Sequence, residues 1–416
     1  MNGANVERIQ RQLEQLAEFT ATPGEGTTRM SYSPQGQLAR EYIKSQMLEA
    51  GLSVREDAIG NIFGKSAAQD PELPSVMVGS HFDSVPNGGA FDGPAGVVMG
   101  LEVAKLFQEQ RLLPRYPLEV VALVEEEGSS FGRGLLASSA IVGKVDAAEL
   151  HRLCDSQGRS AAHCMAEVGF DADRVASVVR PASTIKAFIE LHIEQGPVLE
   201  QASLDVGIVD VIVGITQLVV TITGKAGHAG TTPMNRRQDA LVAACQVIAQ
   251  VGEFARQAGE ETVATTGKLQ VFPNGANVIP SKVIFTVDIR SKDWHKLQQV
   301  VEQTKACIHQ QSGAGIHCHI EQPLLVAPTQ LDPEIHQLLA KHGEALGLKQ
   351  RTMVSGAGHD AMMFAGQTAV GLVFVPSRDG LSHHPDEWTD YAQIQKGIEV
   401  IFQTVKEITE ASNYDE

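Results

Sequence analysis

Acidic and histidine residues recur along the chain where short apolar runs end. They lie in four segments: GSHFDSVPNGGAFDG with His81, Asp83 and Asp92, VEEEGSSFGRG with Glu125, Glu126 and Glu127, ELHIEQG with His192, and GLSHHPDEW with His383. Imidazole and carboxylate groups are common protein ligands of divalent metal ions. A bridging carboxylate with further ligands on either side can hold two such ions, which activate a water molecule and polarise a carbonyl group. The sequence therefore predicts a metal-dependent hydrolase.

Three consecutive glutamates, Glu125, Glu126 and Glu127, follow the apolar stretch 118–124. Buried like charges repel, so this arrangement is costly unless a cation lies nearby. We expect one glutamate to bind metal and a neighbour that points elsewhere to act as general base and then as general acid. A solvated acidic loop is the alternative interpretation.

The residues of the histidine segments suit different roles in a metal site. His81 can bind an ion through one ring nitrogen while Asp83 accepts the N–H of the other, which fixes the tautomer. Asp92 lies in a glycine-rich turn, where its carboxylate can approach both ions. Taken singly, each motif is compatible with an ordinary turn, and His192 with a core histidine. Four such motifs at predicted strand ends, including the His383 segment, make coincidence a poor explanation.

A second group of polar residues lies in the middle of the chain. His228 in GKAGHAGTTP has glycines on both sides and is suited to donate a hydrogen bond to a developing oxyanion. Arg290 in FTVDIR lies on a predicted strand, where a guanidinium suits capture of a carboxylate, and Asn277 in PNGANVIP belongs to the same region. A plain turn and a surface charge are the alternative interpretations.

Hydrophobic periodicity predicts an α/β fold. Predicted strands alternate with predicted helices: strands 75–79, 118–124, 187–192 and 369–375, and helices 96–108, 336–345 and 392–408. This alternation is typical of a mainly parallel mixed sheet flanked by helices, with ligands bound at the carboxyl ends of the strands. From about residue 214 a strand–helix–strand–helix–strand pattern follows instead. Because His383 belongs with His81, we expect residues 214–328 to be a domain inserted between two parts of a catalytic domain, 1–213 and 329–416.

Composition narrows the class of protein. The chain has 416 residues and a formal net charge of −17, which argues against nucleic acid or an anionic membrane surface as a partner. Five cysteines without a CxxC pair favour a reducing compartment, and the chain start lacks the pattern of a signal peptide. We therefore expect a cytoplasmic protein. A GxSxG match at Ser130 is interpreted as chance, because three glutamates separate it from the preceding strand.

The motifs together resemble the hydantoinase/carbamoylase family of dinuclear metal amidohydrolases, within the superfamily of aminoacylase and carboxypeptidase-like zinc enzymes. The resemblance rests on GSHFDSVPNGGAFDGPAGV, EEEGS, ELHIEQG, GHAGTTPM, NVIP and SGAGHDA, and it extends from GEGTTRMSYS to SHHPDEWT, nearly the whole chain. It implies that the inserted α+β domain is a lid through which the protein forms a homodimer.

The resemblance also implies a role for individual residues. The implied metal ligands are His81, Asp92, Glu127, His192 and His383, with Asp92 bridging two divalent ions, and Glu126 is the implied general base. The implied substrate-binding residues are Gln195, His228, Asn277, Arg290, Gly356 and Ala357. Zn²⁺, Mn²⁺, Co²⁺ and Ni²⁺ all suit such ligands, so the native metal stays open.

The expected reaction is hydrolysis of the ureido C–N bond of an N-carbamoyl-L-amino acid, with release of the amino acid, carbon dioxide and ammonia. Allantoate hydrolysis is the alternative, because allantoate also presents a ureido group beside a carboxylate. A β-ureidopropionase, an aminoacylase or peptidase, and a non-catalytic binding protein are weaker alternatives.

Overall fold

The computed structural model describes residues 3–413. Its α-helices are α1 Val6–Glu18, α2 Pro34–Glu49, α3 Pro94–Glu109, α4 Leu136–Ile141, α5 Ala147–Arg152, α6 Ala161–Glu167, α7 Val198–Gln201, α8 Ala240–Ala258, α9 Trp294–Gln310, α10 Pro333–Ala345, α11 Ala361–Phe364 and α12 Tyr391–Ile408. Its strands are β1 Ser53–Glu56, β2 Ile62–Lys65, β3 Ser75–His81, β4 Leu112–Leu113, β5 Leu118–Leu123, β6 Ile185–Ile193, β7 Val206–Ile212, β8 Gly214–Thr223, β9 Gly227–His228, β10 Thr262–Thr265, β11 Leu269–Phe272, β12 Val278–Ile279, β13 Lys282–Ser291, β14 His317–Val326, β15 Thr329–Gln330, β16 Gln350–Ser355, β17 Ala369–Val375 and β18 Ser412–Asn413.

The described residues form two compact units. The first contains the chain up to Asp210, Leu331–Met353 and the chain from His359 onward. The second contains Val211–Gln330 and Val354–Gly358. The sequence places residues 354–358 with the catalytic domain, whereas in the structure this short segment groups with the second unit.

The first unit is built around a mixed sheet in which the central strands run parallel. Its strands follow the order β1-β2-β5-β3-β6-β17, with β3 parallel to both β5 and β6, and β17 parallel to β6. Every residue of β3 and β5 is buried, as expected for strands covered on both faces. Helix α3 packs on β3, and α12 packs on β17. The predicted α/β fold class is confirmed.

Parallel pairing brings the carboxyl ends of three strands to one edge of this sheet. His81, the last residue of β3, pairs in register with Leu123, the last residue of β5. The three glutamates follow two residues later, and His192 lies next to the end of β6. The apolar runs therefore deliver these polar side chains to the same edge, because neighbouring parallel strands end side by side.

The second unit contains an antiparallel sheet in the order β10-β13-β8-β14, with β11 also paired to β13. Buried residues of β8 and β13 pack with those of α8 and α9 in one apolar core. Helix α8 begins at Ala240, where the Asp239 carboxylate accepts the N–H groups of Leu241 and Val242. The role of this unit as a lid and dimerisation domain stays a prediction.

Helices that could cross a membrane were sought among residues 3–413, and none is both long enough and apolar enough.

Candidate metal centre

Asp92 lies among three histidines at the edge of the sheet. Its Oδ1 is 3.1 Å from Nε2 of His192 and 3.4 Å from Nε2 of His81. Its Oδ2 is 3.3 Å from Nε2 of His383. The two oxygens of one carboxylate therefore face different histidines, which is the arrangement that a bridging ligand requires.

Two of the three glutamates complete the cluster. Oε2 of Glu127 lies 3.4 Å from Nε2 of His383, and Oε2 of Glu126 lies 3.7 Å from Nε2 of His81. Three groups of side chains have ligand atoms within 4.8 Å of one another: His81, Asp92 and His192; His81, Glu126 and Glu127; and Asp92, Glu127 and His383. The first and third groups share only Asp92, so each of these two groups could hold a metal ion.

The donor set also fits divalent cations on electrostatic grounds. The side chains of His81, Asp92 and His192 are almost completely buried, while that of His383 is 49% exposed. Oε1 of Glu127 is buried and has no hydrogen-bond partner among the described residues. A buried carboxylate oxygen without a donor is unfavourable, and a bound cation would supply what this oxygen lacks.

Unusual backbone conformations hold several of these side chains. Gly93 has φ +80°, and a Cβ atom there would lie 2.4 Å from Cε1 of His81, so no larger residue fits. Glu125, Gln195 and His383 adopt φ between 54° and 59°, a left-handed conformation that is costly for residues with a side chain. Strained backbone of this kind is common where function fixes the direction of a side chain.

Asp83 organises the glutamate turn. Its carboxylate oxygens accept the N–H groups of Glu126 and Glu127 at 3.1 and 3.2 Å. Nδ1 of His81 lies 3.5 Å from the Asp83 carboxylate and 3.2 Å from the Asp83 carbonyl oxygen. The predicted contact with His81 is thus present but long, and the stronger hydrogen bonds of this carboxylate go to the glutamate turn.

Glu125 turns away from the cluster. Its carboxylate accepts the N–H and the hydroxyl of Ser130 at 3.1 and 3.0 Å, and its own N–H donates to Oγ of Ser31 at 2.7 Å. Of the three consecutive glutamates, only Glu126 and Glu127 therefore face the histidines. Ser130 is engaged by a carboxylate, which agrees with the interpretation of its GxSxG match as chance.

Two residues that the sequence interpretation missed, Ser382 and Glu387, make hydrogen bonds that hold Asp92 in place. The Glu387 carboxylate accepts the N–H groups of Phe91 and Asp92 at 3.0 and 3.1 Å. The Ser382 hydroxyl is 2.7 Å from Oδ2 of Asp92. Gln195, predicted to bind substrate, donates through Nε2 to the same oxygen at 2.6 Å. Ser382 and Glu387 flank His383 in SHHPDEW, and this proximity in sequence was the available signal.

A second buried layer lies next to His192. The ring of His359 is 4.5 Å from the His192 ring in an edge-to-face contact. The fully buried Glu190 accepts the hydroxyl of Ser80 at 2.6 Å and the N–H of Ala361 at 2.9 Å. Burial, reinforced by the charge of Glu190, raises the pKa of Asp360 to about 7.

The other predicted substrate-binding residues lie in the second unit. They are His228, Asn277, Arg290, Gly356 and Ala357. Val278, next to Asn277, pairs with His228 across strands β12 and β9. Nδ1 of His228 accepts the N–H of Gly230 at 3.1 Å, which assigns the ring proton to Nε2. The exposed His228 thus presents an N–H donor.

Arg290 has partners within its own unit. Its Nε lies 2.8 Å from Oδ1 of Asp288, and its Nη1 donates to the carbonyl oxygen of Gly356 at 2.8 Å. These contacts orient the guanidinium. They also connect Arg290 with Gly356, another of the predicted substrate-binding residues. The Ala357 N–H donates to Oγ of Ser355 at 3.2 Å.

Comparison with known proteins decides the family. Residues 77–407 match Peptidase family M20/M25/M40. An N-carbamoyl-L-amino-acid amidohydrolase of Paenarthrobacter aurescens is 44% identical over 404 residues, which cover 97% of this chain and 98% of the relative. A crystal structure of a hydantoinase/carbamoylase family amidase from Burkholderia multivorans has a TM-score of 0.91 and 34% identity over 98% of both chains. The chain belongs to the hydantoinase/carbamoylase amidases of family M20/M25/M40.

Membership of this family confirms the predicted enzyme class, an amidohydrolase acting on C–N bonds other than peptide bonds. An allantoate amidohydrolase of Escherichia coli strain K12 is also similar, at 35% identity over 94% of this chain and 95% of the relative. Together with the ligand cluster, family membership indicates that this hydrolase uses divalent metal.

The cluster has a distinctive titration pattern when no ion is bound. Burial opposes ionisation of Asp92, but contacts with His192, His383 and His81 hold its pKa well below the usual range. The hydrogen bond to Asp92 raises the pKa of His383 to about 9. Burial, with the charge of Asp92 acting in the same direction, raises the pKa of Glu127 to about 7.

We expect the affinity for metal to fall as the pH is lowered from 9 to 6. A metal ion binds only the neutral imidazole and the ionised carboxylate, so it must displace the proton that His383 carries below about pH 9. The dissociation constant should rise at least about tenfold per pH unit between pH 9 and 7, because the pKa values of His81 and His192 are raised as well, and more steeply below about 7, where Glu127 also becomes protonated. Competition titrations with a chelating indicator measure this slope. A constant affinity between pH 7 and 9 would contradict the expectation.

Proposed function

We propose that this protein hydrolyses the ureido C–N bond of N-carbamoyl-L-amino acids and releases the amino acid, carbon dioxide and ammonia. The observation that carries the proposal is the Asp92 cluster, in which one carboxylate lies between two ligand sets and Glu126 lies beside one of them. Three relatives between 38% and 44% identical, each aligned over at least 96% of this chain, are named N-carbamoyl-L-amino acid amidohydrolases. These names support the choice of substrate.

Two divalent ions per chain are part of the proposal. His81 and His192 would hold one ion together with Oδ1 of Asp92, and Glu127 and His383 would hold the other together with Oδ2. When bound, such a pair lowers the pKa of a water molecule and polarises the oxygen of the carbamoyl group. Zn²⁺, Mn²⁺, Co²⁺ and Ni²⁺ each accept this ligand set.

Glu126 is proposed as the residue that moves the proton. Burial raises its pKa well above the usual value, with the nearby His81 charge acting in the opposite direction and the Glu127 charge adding to the rise. A carboxylate with a raised pKa is a stronger base, so Glu126 can accept a proton from water near neutral pH. It would then pass this proton to the departing nitrogen. Its N–H bond to Asp83 holds the turn that carries it.

The second unit is proposed to bind the rest of the substrate. The Nε2–H of His228 would donate to the oxyanion, and Arg290 with Asn277 would bind the substrate carboxylate. Arg290 is already oriented by Asp288, which lowers the entropic cost of positioning it. Main-chain groups of Gly356 and Ala357 would line the same site.

We also propose that the protein forms a homodimer through the second unit. Its proposed location is the cytoplasm. Strand β14 ends the sheet order of that unit, and an unpaired strand edge is suited to contact a second copy. The five cysteines are all free, which suits a reducing compartment. Sedimentation equilibrium measures the association state, and a monomer at micromolar concentration would contradict the dimer.

A panel of ureido acids, assayed for ammonia release with Mn²⁺ and with Zn²⁺, tests the substrate class. We expect N-carbamoyl-L-amino acids to give the highest kcat/KM, at least about tenfold above allantoate and N-carbamoyl-β-alanine. A tenfold difference in kcat/KM corresponds to roughly 1.4 kcal/mol in transition-state binding free energy. N-acyl amino acids and dipeptides, followed by release of the free amino acid, serve as the aminoacylase and peptidase controls. Higher turnover of allantoate would reassign the substrate, and an absence of turnover with every compound would reject the enzymatic proposal.

A further inference from the structure

His228 lies in a surface loop of the second unit whose two ends meet. The N–H of Lys225 donates to the carbonyl oxygen of Gln238 at 2.9 Å, so the chain leaves and re-enters the unit at one point. We call residues 226–236 the His228 loop. The structure describes all eleven positions of this loop, and none of them is buried. Because the loop buries little apolar surface, its conformation depends on hydrogen bonds.

Arg237, the residue between the His228 loop and Gln238, bonds back to the loop. Its Nη2 donates to the carbonyl oxygen of Ala229 at 2.6 Å, and its Nε donates to that of Thr232 at 3.1 Å. The N–H bonds of Nε and Nη2 point in nearly the same direction from the planar guanidinium, so one edge of this group holds two carbonyl groups. Such charge-assisted hydrogen bonds are roughly twice as strong as neutral ones.

The two residues that Arg237 holds also bond to two of the proposed substrate-binding residues. The N–H of Ala229 donates to the carbonyl oxygen of Asn277 at 2.9 Å. The N–H of Thr232 donates to the carbonyl oxygen of His228 at 3.1 Å. The guanidinium is therefore one residue removed from the main chain of both His228 and Asn277.

Arg237 itself is attached to a firmly packed part of the second unit. Asp239, two residues later, caps helix α8, and the first residue of that helix, Ala240, is completely buried. The Ala240 N–H donates to the carbonyl oxygen of Pro280 at 3.1 Å. Helix α8 belongs to the apolar core of the unit. Arg237 thus connects an exposed loop to the start of a well-packed helix.

We propose that Arg237 is a positioning residue, whose guanidinium holds His228 where its Nε2–H would donate to the oxyanion. This inference rests on the proposed function, because it takes His228 as the oxyanion donor. Donors of this kind act through exact placement, and a displacement of about 1 Å can lower a rate about 10²-fold. A lysine at position 237 would keep the charge but could not hold two carbonyl groups with one planar edge.

Substitution of Arg237 by methionine removes every donor and keeps a side chain that can cover part of the same surface. Arg236→Met is the matched control, because Arg236 is the adjacent residue, carries the same charge and is exposed. The measurements are kcat, KM and metal content, with the N-carbamoyl-L-amino acid that gives the highest kcat/KM in the panel. We expect Arg237→Met to lower kcat about 10–100-fold, Arg237→Lys to lower it less, and Arg236→Met to stay within about twofold of the wild type. Metal content should be unchanged in all three, since the proposed ligands lie in the first unit.

A double-mutant cycle with His228→Ala separates positioning from a general structural role. Without the imidazole there is no side-chain donor to misplace, so Arg237→Met should then lower kcat by less than about threefold. A fall by the same factor with and without His228 would overturn the proposal. An unchanged kcat in Arg237→Met, or an equal loss in Arg236→Met, would overturn it as well.

Hydrogen exchange of the main chain tests the contact independently of activity. The peptide that contains the His228 loop should exchange faster in Arg237→Met than in the wild type or in Arg236→Met, while peptides of the first unit stay unchanged. Equal exchange of the loop in all three proteins would overturn the proposal. If Arg237→Met does not fold, Arg237→Lys serves for both measurements. Failure of the proposed function is seen without any change at Arg237, as no ammonia release by the wild type or as wild-type kcat in His228→Ala.

Discussion

Replacing Asp92 with asparagine is expected to abolish metal binding and to lower kcat at least about 10³-fold, because the activation of water depends on the bound ions. The reason lies in the geometry of its carboxylate. Oδ1 faces His81 and His192, and Oδ2 faces His383. An amide has nearly the same shape but no charge, and its nitrogen cannot bind a cation, so one substitution weakens both ligand sets.

The metal content of the purified variant, measured by mass spectrometry, and its melting temperature test this expectation. Metal at a thousandfold excess over its dissociation constant stabilises a protein by about 4 kcal/mol, so the wild type should melt higher with metal and the Asp92→Asn variant should not. Asp386→Asn is a matched control in the SHHPDEW segment, since the Asp386 side chain is 81% exposed. Normal metal content in Asp92→Asn would show that Asp92 is not required for metal binding.

Replacing Glu126 with glutamine is expected to lower kcat by about 10²–10⁴-fold, the usual contribution of a general base, without loss of metal. Glutamine preserves the size of the side chain and the main-chain bond to Asp83, but it cannot accept a proton. The neighbouring substitution Glu127→Gln should act differently. Because Glu127 contacts His383 and shares a ligand group with Asp92, its loss should lower the metal content as well as the activity.

The comparison of these two variants decides which glutamate is the base. Metal content and kcat are measured for both at saturating metal. If Glu126→Gln keeps more than about a tenth of the wild-type kcat, the proton transfer belongs to another residue. If it instead loses metal while Glu127→Gln retains it, the two assignments are exchanged.

The strands that carry the cluster are predictable because their sequences allow few alternatives. The apolar runs of β3, β5 and β6 are almost wholly buried, and such runs are typical of parallel strands covered by helices. Polar residues that follow them must lie where the strands end. This is why His81, the glutamates and His192 can be grouped from the sequence before any distance is known.

The support of the cluster is not predictable in the same way, because it depends on contacts between distant parts of the chain. Glu387 binds the N–H of Asp92 across a separation of 295 residues. The left-handed conformation of Glu125 sends its carboxylate to Ser130 and leaves the next two glutamates at the cluster. No periodicity in the sequence encodes such a turn.

The contact between Gln195 and Asp92 also depends on distant parts of the chain, so the sequence indicated a substrate-binding role for Gln195 but not this contact. Its place in ELHIEQG indicates a role at the site, and the structure brings it to the cluster. Its Nε2 donates to Asp92, while Oε1 is buried without a hydrogen-bond partner among residues 3–413. Which of these two atoms meets a substrate depends on side-chain geometry that the sequence does not express.

Asp92 is proposed to join two metal ions through its one carboxylate. The most direct measurement is the anomalous diffraction of crystals grown with Mn²⁺. We expect two anomalous peaks per chain about 3.5–4 Å apart, with the Asp92 carboxylate between them, His81 and His192 at one peak, and Glu127 and His383 at the other. A single peak, or two peaks that do not share Asp92, would contradict it.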